Sequence, residues 1–145
     1  MKSSGKGSGG VLAIDHGDKR VGFAVADPLR IATQPLERWS GQGEFLDHVG
    51  AMLAEREISV LLVGLPVNMD GSDGPRAAIV RAFAKMLAAR FPAQEVVLYD
   101  ERLTTKAAED LLRESGVPVA KRREQRDSAS ALVLLRDWIA SGEPR

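Results

Sequence analysis

Three acidic positions in this 145-residue chain stand where chemistry is often done. Asp15 closes the apolar run Val11-Leu-Ala-Ile14. Asp100 and Glu101 follow Glu95-Val-Val-Leu-Tyr99, and Asp127 precedes a run of small and apolar residues. A carboxylate at the tip of a buried strand is poorly solvated and attracts a cation. Carboxylates gathered from several strand ends raise one another's pKa unless cations lie among them. Oxygen ligands without Cys or His suit Mg²⁺ or Mn²⁺. Two such ions, roughly 3.5–4 Å apart, activate water and stabilise the leaving oxygen of a phosphodiester. Each position also has a plainer role. Asp15 can bond the turn amides of Gly17 and Asp18, Asp100-Glu101 can be a solvated loop, and Asp127 can cap a helix.

Basic residues flank all three positions: Lys19 and Arg20 after Asp15, Arg102 after Glu101, and Lys121, Arg122, Arg123 and Arg126 before Asp127. Cations around an anionic metal site hold a phosphate backbone near it; the plainer alternative is a solvated charge run. With only 2 Trp, 1 Tyr and 4 Phe, composition argues against a base-stacking platform and for backbone and shape recognition. His16 reads as a turn residue and His48 as a solvated one. There is no Ser-His-Asp pattern, and Gly64, Gly71 and Gly74 make no Walker loop. The loop they punctuate can serve as a mobile rim over substrate.

The elements that must position these groups follow from periodicity. Val11 to Asp27 reads as a buried strand, a tight turn at Gly17-Asp18 and a second strand with Val21, Phe23 and Val25 on one side. Ile31 to about Glu37 is a third strand, placed at an edge by Pro35. A helix spans Glu44 to about Glu57. Ile58–Val63 is apolar almost throughout, as a central parallel strand is. Pro75 starts a helix, with Ser72 or Asp73 as caps, that ends near Pro92. Glu95–Tyr99 is the fifth strand. Helices are expected from Thr104 or Thr105 to Ser115 and from Asp127 onward. The order β-β-β-α-β-α-β-α-α predicts an α/β fold: a five-stranded mixed sheet, three antiparallel strands followed by βα units, with helices on both faces.

Length fits one domain, read as residues 11–141 between a disordered leader at 1–10 and a flexible tail at 142–145. Zero formal net charge excludes a polyelectrolyte binder, so nucleic acid must be met by a local patch. The absence of cysteine excludes disulfides and thiolate metal sites. The leader lacks a signal-peptide core and the apolar runs are strand-sized, so the expectation is a cytoplasmic protein with no membrane partner.

Four stretches together resemble the YqgF/RuvX family, associated with pre-16S rRNA processing and with Holliday junction resolution. They are Ala13–Asp27, Val63–Ser72, Asp100-Glu-Arg-Leu-Thr-Thr105 and Asp127-Ser-Ala-Ser-Ala131, in family order. The resemblance implies an RNase H-like fold and a nuclease using Mg²⁺ or Mn²⁺, with two ions expected. Asp15, Glu101 and Asp127 would be its catalytic and metal-binding acids. The implied task is maturation of the 5′ end of precursor 16S rRNA, in contact with the ribosome or its precursors. A DNA-junction resolvase and a non-catalytic nucleic-acid module are the alternatives. A single lobe of this length argues against an actin-like ATPase. Two departures stand out: Ser130 takes a place where the family has alanine, and Gly64-Leu-Pro66 stands where related junction resolvases carry an acid after the fourth strand.

Overall fold

A computed structural model describes residues 9–145 except 18, 42, 102–109, 111, 112, 115, 117 and 118, with backbone alone for 119–128. The elements are β1 (Gly10–His16), β2 (Val21–Ala26), β3 (Thr33–Trp39), α1 (Phe45–Ala54), β4 (Ile58–Leu65), α2 (Pro75–Arg90), β5 (Glu95–Asp100) and α3 (Val119–Ala140). The strands form one sheet in the order β3-β2-β1-β4-β5. β1, β2 and β3 are antiparallel neighbours, whereas β4 and β5 add parallel to β1. This is the expected mixed sheet, with Pro35 on the edge strand β3.

Period-two alternation divides the sheet between two cores. Leu12, Ile14, Phe23, Leu61 and Val63 pack with Val49 of α1 and with Val80, Phe83 and Leu87 of α2. Val11, Ala13, Ala24, Val60, Leu62 and Val97 pack with Ala131, Leu134, Leu135 and Trp138 of α3. β1 and β4 are therefore apolar on both sides, as a sandwiched strand must be.

Several expectations are corrected. The last helix starts at Val119, so Asp127 lies in its interior and does not cap it. The N-cap of α2 is Gly74, without a side-chain bond. Asp73 is instead held by Arg81 Nε at 2.7 Å, which lowers its pKa. β1 begins inside the expected leader, at Gly10. The expected tail carries contacts: Arg30 Nε donates to Glu143 at 2.9 Å, Trp138 Nε1 to Pro144 O at 2.9 Å, and Arg145 Nε to Glu95 at 2.9 Å. His48 is half-buried, its ring centroid 5.7 Å from that of Phe23. Of the helix expected up to Ser115, Asp110, Arg113 and Glu114 are helical and Gly116 turns at φ +77°. The rest of that segment lies outside the described residues.

Candidate active site

Asp15 continues the Val11–Ala13 side of β1, so its carboxylate leaves the sheet on the α3 face. Asp15 pairs with Gly22 of β2, one pair before the end of the ladder at His16–Val21. The hairpin is closed by Gly17, whose N–H donates to Arg20 O at 2.9 Å. A methyl group on Gly17 would sit 2.7 Å from that oxygen, so only glycine fits. The Gly17 amide therefore goes to backbone, which removes half of the turn-forming role open to Asp15.

Glu101 follows β5 on the same side as Val97 and Tyr99, and its N–H donates to Leu65 O at 3.2 Å. Asp100 has the opposite parity and is exposed. The choice that the sequence leaves between the two acids thus falls on Glu101. Its side chain reaches back across β4 to Asp15 and is hydrogen-bonded to it. Burial, the Asp15 charge and that hydrogen bond push Glu101 up to about 8, while the Arg76 guanidinium pulls the other way. Two carboxylates bonded to each other must share a proton unless a cation lies between them.

The strand that Glu101 crosses explains the Gly64 departure. A methyl group at position 64 would lie 2.7 Å from Glu101 Oε2, 3.1 Å from Glu101 Cδ and 3.2 Å from Leu134 Cδ2. The acid arriving from β5 occupies the volume that a side chain on β4 would fill. A side chain at position 64 would displace Glu101 from the place it takes here.

Arg76 is the residue that sequence reasoning missed. It stands in the first turn of α2, and its Nη2 donates to His16 O at 2.9 Å. A cation there opposes the helix dipole. That mismatch in Pro75-Arg76 is the one sequence signal that marks it. The helix that bears Asp127 is fixed from elsewhere. Tyr99 Oη donates to Asp137 at 2.6 Å, which raises the Tyr99 pKa, and Arg136 Nε donates to Thr33 Oγ1 at 3.0 Å.

The remaining expected site residues divide into two groups. Lys19 is exposed and Arg20 half-buried at the β1–β2 turn, next to Asp15. Arg102 lies outside the described residues, as do the side chains of Lys121, Arg122, Arg123, Arg126 and Asp127. The backbone places Asp127 one helical turn before Ala131 and two before Leu134, both of which pack on the sheet. Among the described residues, no group of three or more His, Asp or Glu side chains gathers as a metal site. The described pair nevertheless fits a hard dication: two carboxylates, all oxygen, that are close enough to need neutralising. No helix among the described residues is long and apolar enough to cross a membrane.

The profile of a protein family described as "RuvX: Holliday junction resolvase" matches residues 9–141. A protein of Halalkalibacterium halodurans named "Putative pre-16S rRNA nuclease" is 38% identical over 133 residues, covering 88% of this chain and 94% of that one. One of the same name from Anaeromyxobacter sp. is 41% identical over 130 residues, covering 88% and 94%. Among solved structures, T. thermophilus RuvC in complex with a Holliday junction substrate superposes with TM-score 0.52 at 18% identity, over 92% of this chain and 96% of that one. The shared feature is the RNase H-like fold.

Proposed function

Because this chain belongs to the RuvX family, we propose that it hydrolyses phosphodiester bonds in structured nucleic acid, with the 5′ end of precursor 16S rRNA as the favoured substrate. The observation that carries this reading is the union of Asp15 and Glu101 across Gly64. Strands far apart in sequence deliver two carboxylates to one point, at a cost in repulsion and desolvation that folding alone does not require. The names of relatives near 40% identity favour RNA over DNA. The family description favours a four-way DNA junction as the second reading. On the first reading the protein works in the cytoplasm on ribosome precursors, and residues 11–141 form one nuclease domain.

Asp15, Glu101 and Asp127 would hold Mg²⁺ or Mn²⁺. When bound, such ions polarise a phosphoryl oxygen and lower the pKa of water. The chain's own groups then have separate tasks. Asp15 supplies a fixed charge at the end of a buried strand. Glu101 holds a proton near neutral pH in the cation-free protein and releases it as positive charge arrives. Arg76 limits the rise of Glu101 and braces the His16 carbonyl. Lys19 and Arg20, with Arg102 and the basic run Lys121–Arg126, would grip flanking phosphates without reading bases.

The test is cleavage of a labelled 5′ precursor fragment beside a four-way DNA junction, with Mg²⁺ or Mn²⁺. Asp15→Asn and Glu101→Gln should each abolish cutting of the preferred substrate while the melting curve stays cooperative. Unchanged cutting by either variant would remove the proposed site.

A further inference from the structure

We propose that a cavity beside the β1–β2 turn takes an unpaired base of the substrate strand, with the adjoining phosphate held by Lys19 and Arg20. This deepens the nuclease reading and rests on it. The cavity has a volume of about 320 Å³ and lies on the α1/α2 side of the sheet, between the turn, the end of β3 and α2. Composition argues against such a platform, since aromatics are few. Folding overrides composition by collecting three of the seven, Trp39, Phe45 and Phe83, around one opening.

Those rings are continuous. His16 lies 4.5 Å from Phe83, Phe83 5.5 Å from Phe45, and Phe45 5.2 Å from Trp39, measured between centroids. Across the opening, Ile79 and Met86 of α2 remain 49% and 52% exposed, an arrangement that costs solvation unless something apolar is received there. The charged residues among the described lining are Lys19 and Arg20, both cationic. Apolar, largely aromatic walls with a cationic lip match a planar ring joined to an anion, which describes a nucleotide.

The cavity lies on the opposite face of the sheet from the acids, and the end of β1 connects the two. His16 lines it and directly follows Asp15 in the chain, and Arg76 both bonds the His16 carbonyl and acts on Glu101. A strand draped over the β1–β2 turn would present a phosphate to the acids on one face and a base to the aromatic wall on the other. Stacking on aromatic side chains is sequence-tolerant and worth roughly 5- to 150-fold in affinity per base.

The experiment measures binding without cleavage: fluorescence anisotropy of a labelled single-stranded oligoribonucleotide in EDTA. The comparisons are the same strand carrying abasic residues, a fully paired duplex, and an acidic apolar peptide as competitor. Trp39→Ala, and Ile79→Ser with Met86→Ser as a pair confined to exposed side chains, should each weaken single-strand binding roughly 5- to 150-fold. Duplex binding should not change, and wild type should bind the abasic strand as poorly as the variants bind the normal one. Equal binding of abasic and normal strands by wild type overturns the proposal, as does full-strength binding by the Ile79/Met86 pair variant. Displacement by the peptide, with no preference for bases, would assign the cavity to a protein partner instead. A protein that passes these tests yet never cuts would retire the nuclease reading alone. One that cuts normally after loss of Ile79 and Met86 would retire the cavity alone.

Discussion

Adding one methyl group at position 64 should disable the enzyme while leaving the fold in place. Gly64 lies in β4 and does not need a positive φ, so alanine meets no backbone strain there. The new carbon would instead stand 2.7 Å from Glu101 Oε2 and 3.2 Å from Leu134 Cδ2. Leu134 is fully buried between α3 and the sheet and cannot retreat, whereas the carboxylate is the far end of a flexible side chain. Glu101 therefore yields, and its link to Asp15 breaks. Overpacking costs about 1–3 kcal/mol, offset by about 0.4–1 kcal/mol from a stiffer unfolded chain. The net loss is at most about 2.5 kcal/mol, or a fall in Tm of no more than roughly 10 °C for a domain of this size. A displacement near 1 Å in a catalytic group costs about 100-fold in rate. Gly64→Ala should thus cut precursor rRNA about 100-fold more slowly at saturating metal, as read by single-turnover cleavage beside calorimetry. In the metal-free protein, carboxyl NMR should find the Glu101 pKa lowered from about 8 towards its ordinary value. Shortening the acid by one carbon in Gly64→Ala/Glu101→Asp should restore most of the lost stability. Wild-type cleavage by Gly64→Ala, or a stability loss that the shorter acid does not relieve, would refute this account of how the two residues share space.

Other outcomes follow from the same geometry. Asp15→Asn should remove metal-dependent cleavage entirely while holding or raising Tm in EDTA, because one of two opposed carboxylates is gone; calorimetry and the cleavage assay check it together. With the Glu101 pKa raised to about 8, the metal-free fold holds a proton that the unfolded chain releases above pH 4.5. Its stabilising contribution is complete below about pH 4.5 and is lost as pH climbs to about 8, with a ceiling of about 5 kcal/mol. Urea titrations across that range should show the decline, and Glu101→Gln or saturating Mg²⁺ should flatten it. Arg30 joins both ends of the chain, donating to Gly9 O at 2.9 Å and to Glu143 at 2.9 Å. Its loss in Arg30→Ala should cost about 1–3 kcal/mol in urea denaturation without changing the cleavage rate.

Much of this fold was legible because its signals are local. The alternation in Val21–Ala26, the unbroken apolar run in β4 and Pro35 on β3 each follow from one strand's surroundings. The start of α3 was not legible: Val119–Arg126 is polar and charged, so periodicity becomes clear only where Ala131 and Leu134 meet the sheet. That late start made Asp127 look like a cap. Inside a helix, aspartate is a poor choice on propensity grounds, so the capping explanation for its presence is gone. The roles of Gly64 and Arg76 were not legible for a different reason. Each matters only through a residue far away in sequence: the missing acid at 64 and the cation at the start of α2 mark the positions, but neither names Glu101 as the partner.

The exchange between positions 64 and 101 bears on how far mechanism can be carried across RNase H-like folds. An acid borne on β4 would point from the end of a strand flanked by neighbours on both sides, with little freedom. Glu101 comes instead from the end of an edge strand, followed directly by residues outside the described set, and reaches its place over a glycine. Its position is therefore held less by the strand that carries it than by what surrounds it: Asp15, Arg76, the empty side of Gly64 and the wall of Leu134. α3 supplies that wall and is itself tied down through Tyr99–Asp137 and Thr33–Arg136 on either side of the sheet's centre. The meeting of Asp15 and Glu101 depends on helix docking more than on strand register, so changes that loosen α3 should reach the candidate active site before they reach the sheet.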